Sequence, residues 1–243
     1  MITHGKCTYC SRSFSDSMMA RHLESCKARE DSFSPSRSFL KDDYKKVQTT
    51  DDDDAVLLLK VSSKYFPEYW LFIETYGVCK LIDIDSFLRN IWLECCGHLS
   101  CFTINNERYE IQPDPIFNSR SMRVRLNKIL QLGMIFEYAY DYGSSTELVI
   151  KVISSRCGRI KKGKEEEPLR LIARNDPIVF KCHSCKQAEA TNICTICLYE
   201  KNRQGASLCE NCMKQHECKE EMFLPIVNSP RSGECGYTGE SGN

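Results

Sequence analysis

The sequence predicts an α+β fold, a mostly antiparallel sheet with one main helix, flanked by two small modules rich in Cys and His. Three observations lead there. Between residues 55 and 174, short β-branched and aromatic runs alternate with turn signals and read as strands. Within that stretch Leu81, Ile84, Phe87, Leu88, Ile91 and Trp92 recur at helical spacing and form one apolar face. On both sides lie close Cys and His pairs whose spacing is that of metal ligands rather than of core residues.

Residues 1–30 form the first module. Cys7-x2-Cys10 is followed by Phe14, Met19, His22 and Cys26. A helix over residues 16–24 puts His22 and Cys26 on one face, while Phe14 and Met19 stand where a ββα finger keeps its small core. So short a segment cannot build a core alone, and a metal ion takes that place. The motif resembles a C2HC zinc finger, one residue shorter than the common spacing between the second Cys and the His. Residues 31–54 are rich in Ser, Lys and Asp and end in Asp51-Asp52-Asp53-Asp54. Like charges in a run repel, so this reads as a solvated linker.

Residues 55–174 are the main domain. Residues 55–61 and 69–75 are strands. The amphipathic helix follows, with Asp83 or Asp85 as its cap. Residues 101–104 and 108–111 flank Asn105-Asn106, a turn that tolerates positive φ, and so form a hairpin. Residues 126–132 fit a short helix ended by Gly133. Residues 134–140 and 146–153 are strands around Gly143-Ser144-Ser145, and residues 169–173 add a last strand. The charged stretch 158–167 reads as an exposed loop.

Residues 175–243 carry a ladder of ligand pairs: Cys182-x2-Cys185, Cys194-x2-Cys197, Cys209-x2-Cys212 and His216-x-Cys218. Eight ligands suffice for two closed tetrahedral zinc sites. Spacing favours a crossed arrangement, pair one with pair three and pair two with pair four. The sequential arrangement stays open, and His183 and Cys235 are spare ligands, either able to replace His216 or Cys218. With Cys7, Cys10, His22 and Cys26, the expected content is about three zinc ions. The tail after Pro225 should be irregular, with Leu224 and Val227 packing on the module.

One further cluster stands out, Glu94-Cys95-Cys96-Gly97-His98-Leu99-Ser100-Cys101. A reduced Cys packs as a small hydrophobe. Cys95 prolongs the apolar helix face, Gly97 ends the helix and Cys101 starts a strand. Packing is therefore the expected role of Cys95, Cys96 and Cys101. Cys79 and Cys157 are read the same way.

The run Tyr69-Trp70-Leu71-Phe72-Ile73, with Leu88-Arg89-x-Ile91-Trp92-Leu93-Glu94-Cys95-Cys96-Gly97-His98-Leu99-Ser100-x-Phe102, resembles the plasmid pRiA4b ORF-3-like family. Tyr140-Asp141-Tyr142-Gly143-Ser144 partly matches a second block of that family, with Thr146 and Leu148 where a Trp and a His are expected. Met222-Phe223-Leu224-Pro225 and Asn228-Ser229-Pro230-Arg231-Ser232-Gly233 look like its zinc-bearing branch. The resemblance covers residues 55–240. It implies an α+β domain and a setting in mobile or plasmid DNA, and no established activity.

Function is bounded from several sides. Lys and Arg balance Asp and Glu at 33 each, so any nucleic-acid role needs a local patch. No apolar stretch is long enough to span a bilayer, and the polar opening Met1-Ile2-Thr3-His4-Gly5 predicts no signal peptide. Sixteen cysteines without an export signal point to metal ligation in a reducing cytoplasm. The expectation is a non-enzymatic zinc protein that binds nucleic acid through its zinc modules. Arg21, Lys27, Arg29, Lys161, Lys162 and Lys164 would be the phosphate contacts. A protein–protein adaptor is the alternative, then an enzyme using Cys95 to Cys101. No membrane and no small-molecule substrate is expected.

Overall fold

The structure is a computed structural model. It describes residues 1–34, 55–116, 118–157, 159–160, 169–200 and 205–239. Most of the expected linker and the charged loop at 161–167 lie outside the described residues. The chain divides into two compact units, Met1–Phe87 with Leu99–Asp176, and Leu88–His98 with Pro177–Asn243.

The first unit opens with β1 (His4–Cys7), β2 (Ser13–Ser15), α1 (Asp16–Ser25), α2 (Lys27–Glu30) and β3 (Phe33–Ser34). It continues with β4 (Ala55–Ser63), β5 (Trp70–Tyr76), α3 (Leu81–Leu88), β6 (Ser100–Ile104), β7 (Glu107–Glu110) and β8 (Arg120–Ser121). A 3₁₀ turn (Leu126–Lys128) precedes β9 (Ile135–Tyr140), β10 (Thr146–Cys157), β11 (Arg159–Ile160) and β12 (Leu169–Asn175). Ten strands form one sheet in the order β2-β1-β12-β5-β4-β10-β9-β6-β7-β8, and β11 pairs separately with β3. The pairs of the large sheet are antiparallel except β7 with β8. The fold is α+β as expected, but the sheet is larger than a domain with one main helix implies. The finger's hairpin adds two strands to it through β1 and β12.

β4 and β5 sit inside this sheet and are buried on both faces, which explains their unbroken apolar runs. Side chains alternate along a strand. Leu58, Trp70 and Phe72 point one way and form a cluster with Met19 and Leu23 of α1 and with Ile172. Leu57, Leu59, Val61, Leu71 and Ile73 point the other way and are equally buried. Asn105 and Asn106 take φ of 50° and 65°, closing the β6–β7 hairpin as the sequence implied. The short helix expected at 126–132 is reduced to its 3₁₀ turn. Leu126 and Leu130 are still buried there, and Gly133 at φ 81° ends the stretch.

The second unit begins with the π-helical turn Arg89–Leu93, the continuation of the predicted amphipathic helix. It resumes with β13 (Asn192–Cys194), α4 (Thr195–Glu200), β14 (Ser207–Leu208) and α5 (Glu210–Met213). A 3₁₀ turn (Glu220–Met222) leads into β15 (Phe223–Pro225). These strands form a small sheet in the order β14-β13-β15. β15 ends at Pro225, and residues 226–239 run through turns and bends. Among the described residues no helix is long and apolar enough to cross a membrane.

Candidate metal centres

Four groups of Cys and His side chains converge among the described residues, each with its ligand atoms within 4.8 Å of one another. They are Cys7, Cys10, His22 and Cys26; Cys182, Cys185, Cys209 and Cys212; Cys194, Cys197, His216 and Cys218; and Cys95, Cys96, His98 and Cys235. Zn–S bonds of about 2.3 Å and Zn–N bonds of about 2.0 Å in a tetrahedron place sulfurs about 3.8 Å apart and sulfur and nitrogen roughly 3.5 Å apart. The four groups are built on that scale. Their soft donors suit zinc among the common divalent ions.

In the finger, Cys7 ends β1, Cys10 lies in the turn to β2, His22 is on α1 and Cys26 follows it. The turn is closed by the Ser11 N–H donating to the Cys7 carbonyl at 2.8 Å, with Ser11 at φ 59°. His22 Nε2 lies 3.2 Å from Cys10 Sγ, and its ring stacks on Phe14 at 4.2 Å. Burial, then the Arg12 guanidinium, lower the pKa of His22, which favours the neutral imidazole a metal needs.

The ladder folds in the crossed arrangement. Its first site joins the Cys182–Cys185 knuckle to Cys209, at the start of α5, and Cys212 within it. Burial opposes ionisation of Cys182, but the backbone N–H groups of Cys185, Cys209 and Ser184 outweigh it and bring the thiol down to about 6. Those N–H groups stabilise a thiolate before any metal binds. The second site joins Cys194 at the end of β13 and Cys197 on α4 to His216 and Cys218, with Cys197 Sγ and His216 Nε2 3.2 Å apart. Phe223 of β15 meets the His216 ring edge-on at 5.6 Å. His183 belongs to no group and lies 3.4 Å from Lys186 Nζ.

The fourth group corrects the packing role expected of Cys95 and Cys96. Cys96 is exposed and Cys95 only half-buried, so neither serves as a core residue. Cys235, expected as a spare for the ladder, meets them instead: Cys96 Sγ is 3.6 Å from both Cys95 Sγ and Cys235 Sγ. Cys101 is 5% exposed on β6 and keeps the packing role. Among the cysteines whose side chains are described, only Cys79 and Cys101 fall outside the four groups.

Arg12, Phe14, Met18, Arg21 and Lys27, with Cys10, His22 and Cys26 of the finger's group, line a hollow of about 480 Å³. Its lining contains no carboxylate. Asp16, at the start of α1, is held by Lys60 at 2.6 Å. Arg21 and Lys27 are exposed at this hollow. Arg29 is not. It is 3% exposed and its Nε donates to Glu74 at 2.5 Å, because α2 turns it toward the sheet. Lys161, Lys162 and Lys164 lie outside the described residues. Arg12 escaped the sequence reading, although its place between Cys10 and Phe14 in the finger's hairpin was a usable signal.

No family model and no curated protein matches this chain. Among solved structures it is similar to a protein of unknown function from Methanosarcina mazei Go1, with 21% identity and a TM-score of 0.41. That match covers 48% of this chain and 67% of the other.

Proposed function

We propose that this chain is a non-enzymatic zinc protein that binds nucleic acid through the cationic hollow of its finger. The observation that carries this reading is the convergence of Arg12, Arg21 and Lys27 on one concavity without a carboxylate. Zinc fixes the hairpin and α1, so the three cations are held in place before a ligand arrives. The apolar face of α1 is spent on the sheet through Met19 and Leu23, which leaves the cationic face for the partner. Phosphate contacts of this kind are read by charge rather than by base edge. The protein would act in a reducing cytoplasm, where its thiolates hold zinc. The resemblance to the pRiA4b ORF-3-like family, with its plasmid and mobile-element setting, agrees with a nucleic-acid partner. Met18, 55% exposed at the same hollow, favours a protein partner as the second reading.

An electrophoretic shift series over rising salt tests the proposal, with single-stranded and duplex oligonucleotides. Three phosphate contacts give a slope of roughly −2 to −3 in log affinity against log salt. The triple change Arg12→Ala, Arg21→Ala, Lys27→Ala should abolish the shift while leaving zinc content unchanged. Absence of any shift at low salt would rule the nucleic-acid reading out, and a protein recovered from nuclease-treated lysate through Met18 would favour the second.

A further inference from the structure

The segment after Leu93 is built to point three side chains at one place. The π-helical turn ends at Glu94, whose backbone becomes extended. The Glu94 carboxylate accepts from Arg89 Nη1 at 2.8 Å and from the Gly97 N–H at 2.6 Å. Arg89 Nη2 also donates to the His98 carbonyl at 2.6 Å. Gly97 takes φ 75°, a conformation that costs glycine nothing. This clamped loop brings Cys95, Cys96 and His98 together, with Cys96 Sγ 2.9 Å from His98 Nε2.

The tail of the same unit supplies the fourth side chain. Ser229 Oγ donates to the Trp92 carbonyl at 2.7 Å and accepts the Arg231 N–H at 2.9 Å. Turns follow, the Glu234 N–H to the Arg231 carbonyl and the Tyr237 N–H to the Glu234 carbonyl. Cys235 and Gly236 then take φ of 45° and 70°. Cys235 Sγ reaches within 3.2 Å of His98 Nε2 and 3.6 Å of Cys96 Sγ.

Three readings of this cluster compete. Packing fails, because Cys96 and Cys235 are exposed and bury little. A disulfide needs sulfurs about 2.05 Å apart, and the nearest pairs here stand at 3.6 Å. A tetrahedral metal site accounts for four donors converging at the same spacing as in the other three groups. Arg231 adds a separate reason. Its side chain is fully buried, and its Nη2 donates to Cys95 Sγ at 3.4 Å. A buried guanidinium calls for negative charge beside it. Three thiolates and an imidazole around a divalent cation carry one net negative charge, which Arg231 balances as an outer partner of the site.

We infer that Cys95, Cys96, His98 and Cys235 form a fourth site for a thiophilic divalent ion, zinc by its donor set, which ties the tail to the loop after Leu93. It is independent of the nucleic-acid reading and of the other three sites.

The test uses the full chain loaded with zinc. Cys235→Ser and His98→Ala should each lower the zinc content by one equivalent from about four. Zinc-loaded wild-type protein should also resist iodoacetamide at Cys96 and Cys235, although both are exposed, and should label several-fold faster at both after chelation. This second readout needs no variant to fold. The inference is overturned if both variants keep the wild-type zinc content, or if Cys96 and Cys235 label at the same rate with and without zinc. Failure of the ladder sites alone would appear differently, as a lower starting count that still drops by one in Cys235→Ser.

Discussion

The Glu74 carboxylate is fully buried, and two guanidinium groups answer it. Arg29 Nε lies 2.5 Å away and Arg156 Nη2 2.9 Å away, while Tyr9 Oη donates to the same carboxylate at 2.7 Å. Burial, and then the neighbouring Arg29, bring the Arg156 pKa down to about 10, so this is a crowded site for positive charge. Removing the carboxylate takes the anionic partner from Arg29, which is buried, and from Arg156, which is partly buried. Glu74→Ala should cost about 3–5 kcal/mol in urea unfolding, the range for breaking a buried ion pair by losing one partner. A change under about 1 kcal/mol would show that water replaces the carboxylate. The sequence could not reveal this network. Arg29 sits among polar residues after a finger helix, and only the pairing of β1 with β12 shows that a sheet lies beneath it. The Cys/His groups of the finger and ladder were more legible because a Cys-x2-Cys knuckle is local. Cys235 was not, because its partner Cys96 lies 139 positions earlier.

At the scale of elements, strands and turns followed from patterns of a few residues, whereas their assembly did not. The Asn105-Asn106 hairpin and the buried runs of β4 and β5 are local or nearly so. The joining of the finger to the main sheet rests on a close approach at Gly5, where an added Cβ would lie 2.0 Å from the Arg174 carbonyl oxygen and 2.8 Å from Trp70. Gly5→Ala should push β1 off β12 and destabilise the first unit by about 1–3 kcal/mol, as overpacking does. Faster amide exchange at Thr8, whose N–H donates to the Ile172 carbonyl of β12, is the measurement, and unchanged exchange would mean the strand accommodates the methyl. In the ladder, Cys209 both belongs to a group that could hold a metal and begins α5. Cys209→Ser should release the ion it shares with Cys182, Cys185 and Cys212 and expose 205–213 to proteases. Structural zinc contributes an apparent ~10–16 kcal/mol in small fingers, far more than so short a helix holds alone. Wild-type zinc content in Cys209→Ser would place the ligands elsewhere.

At the scale of the molecule, the two units are expected to depend on metal to different degrees. The first has an apolar core of its own on β4, β5, β9 and β10, with Leu57, Leu59, Trp70, Phe136 and Ile150 buried. The second has two small clusters in which Cys182, Cys194, Cys197 and Cys209 pack with a few aliphatic side chains. Chelation followed by limited proteolysis should therefore degrade 177–239 first and leave a protected fragment within 55–176. Simultaneous loss of both would mean that zinc supports the whole chain as one cooperative unit. The most direct test is the zinc content of the folded full chain, purified without chelator and measured by elemental analysis. The expected value is about four zinc ions per chain, one for each Cys/His group; a folded chain holding one zinc ion or none would contradict the reading of these groups as metal centres.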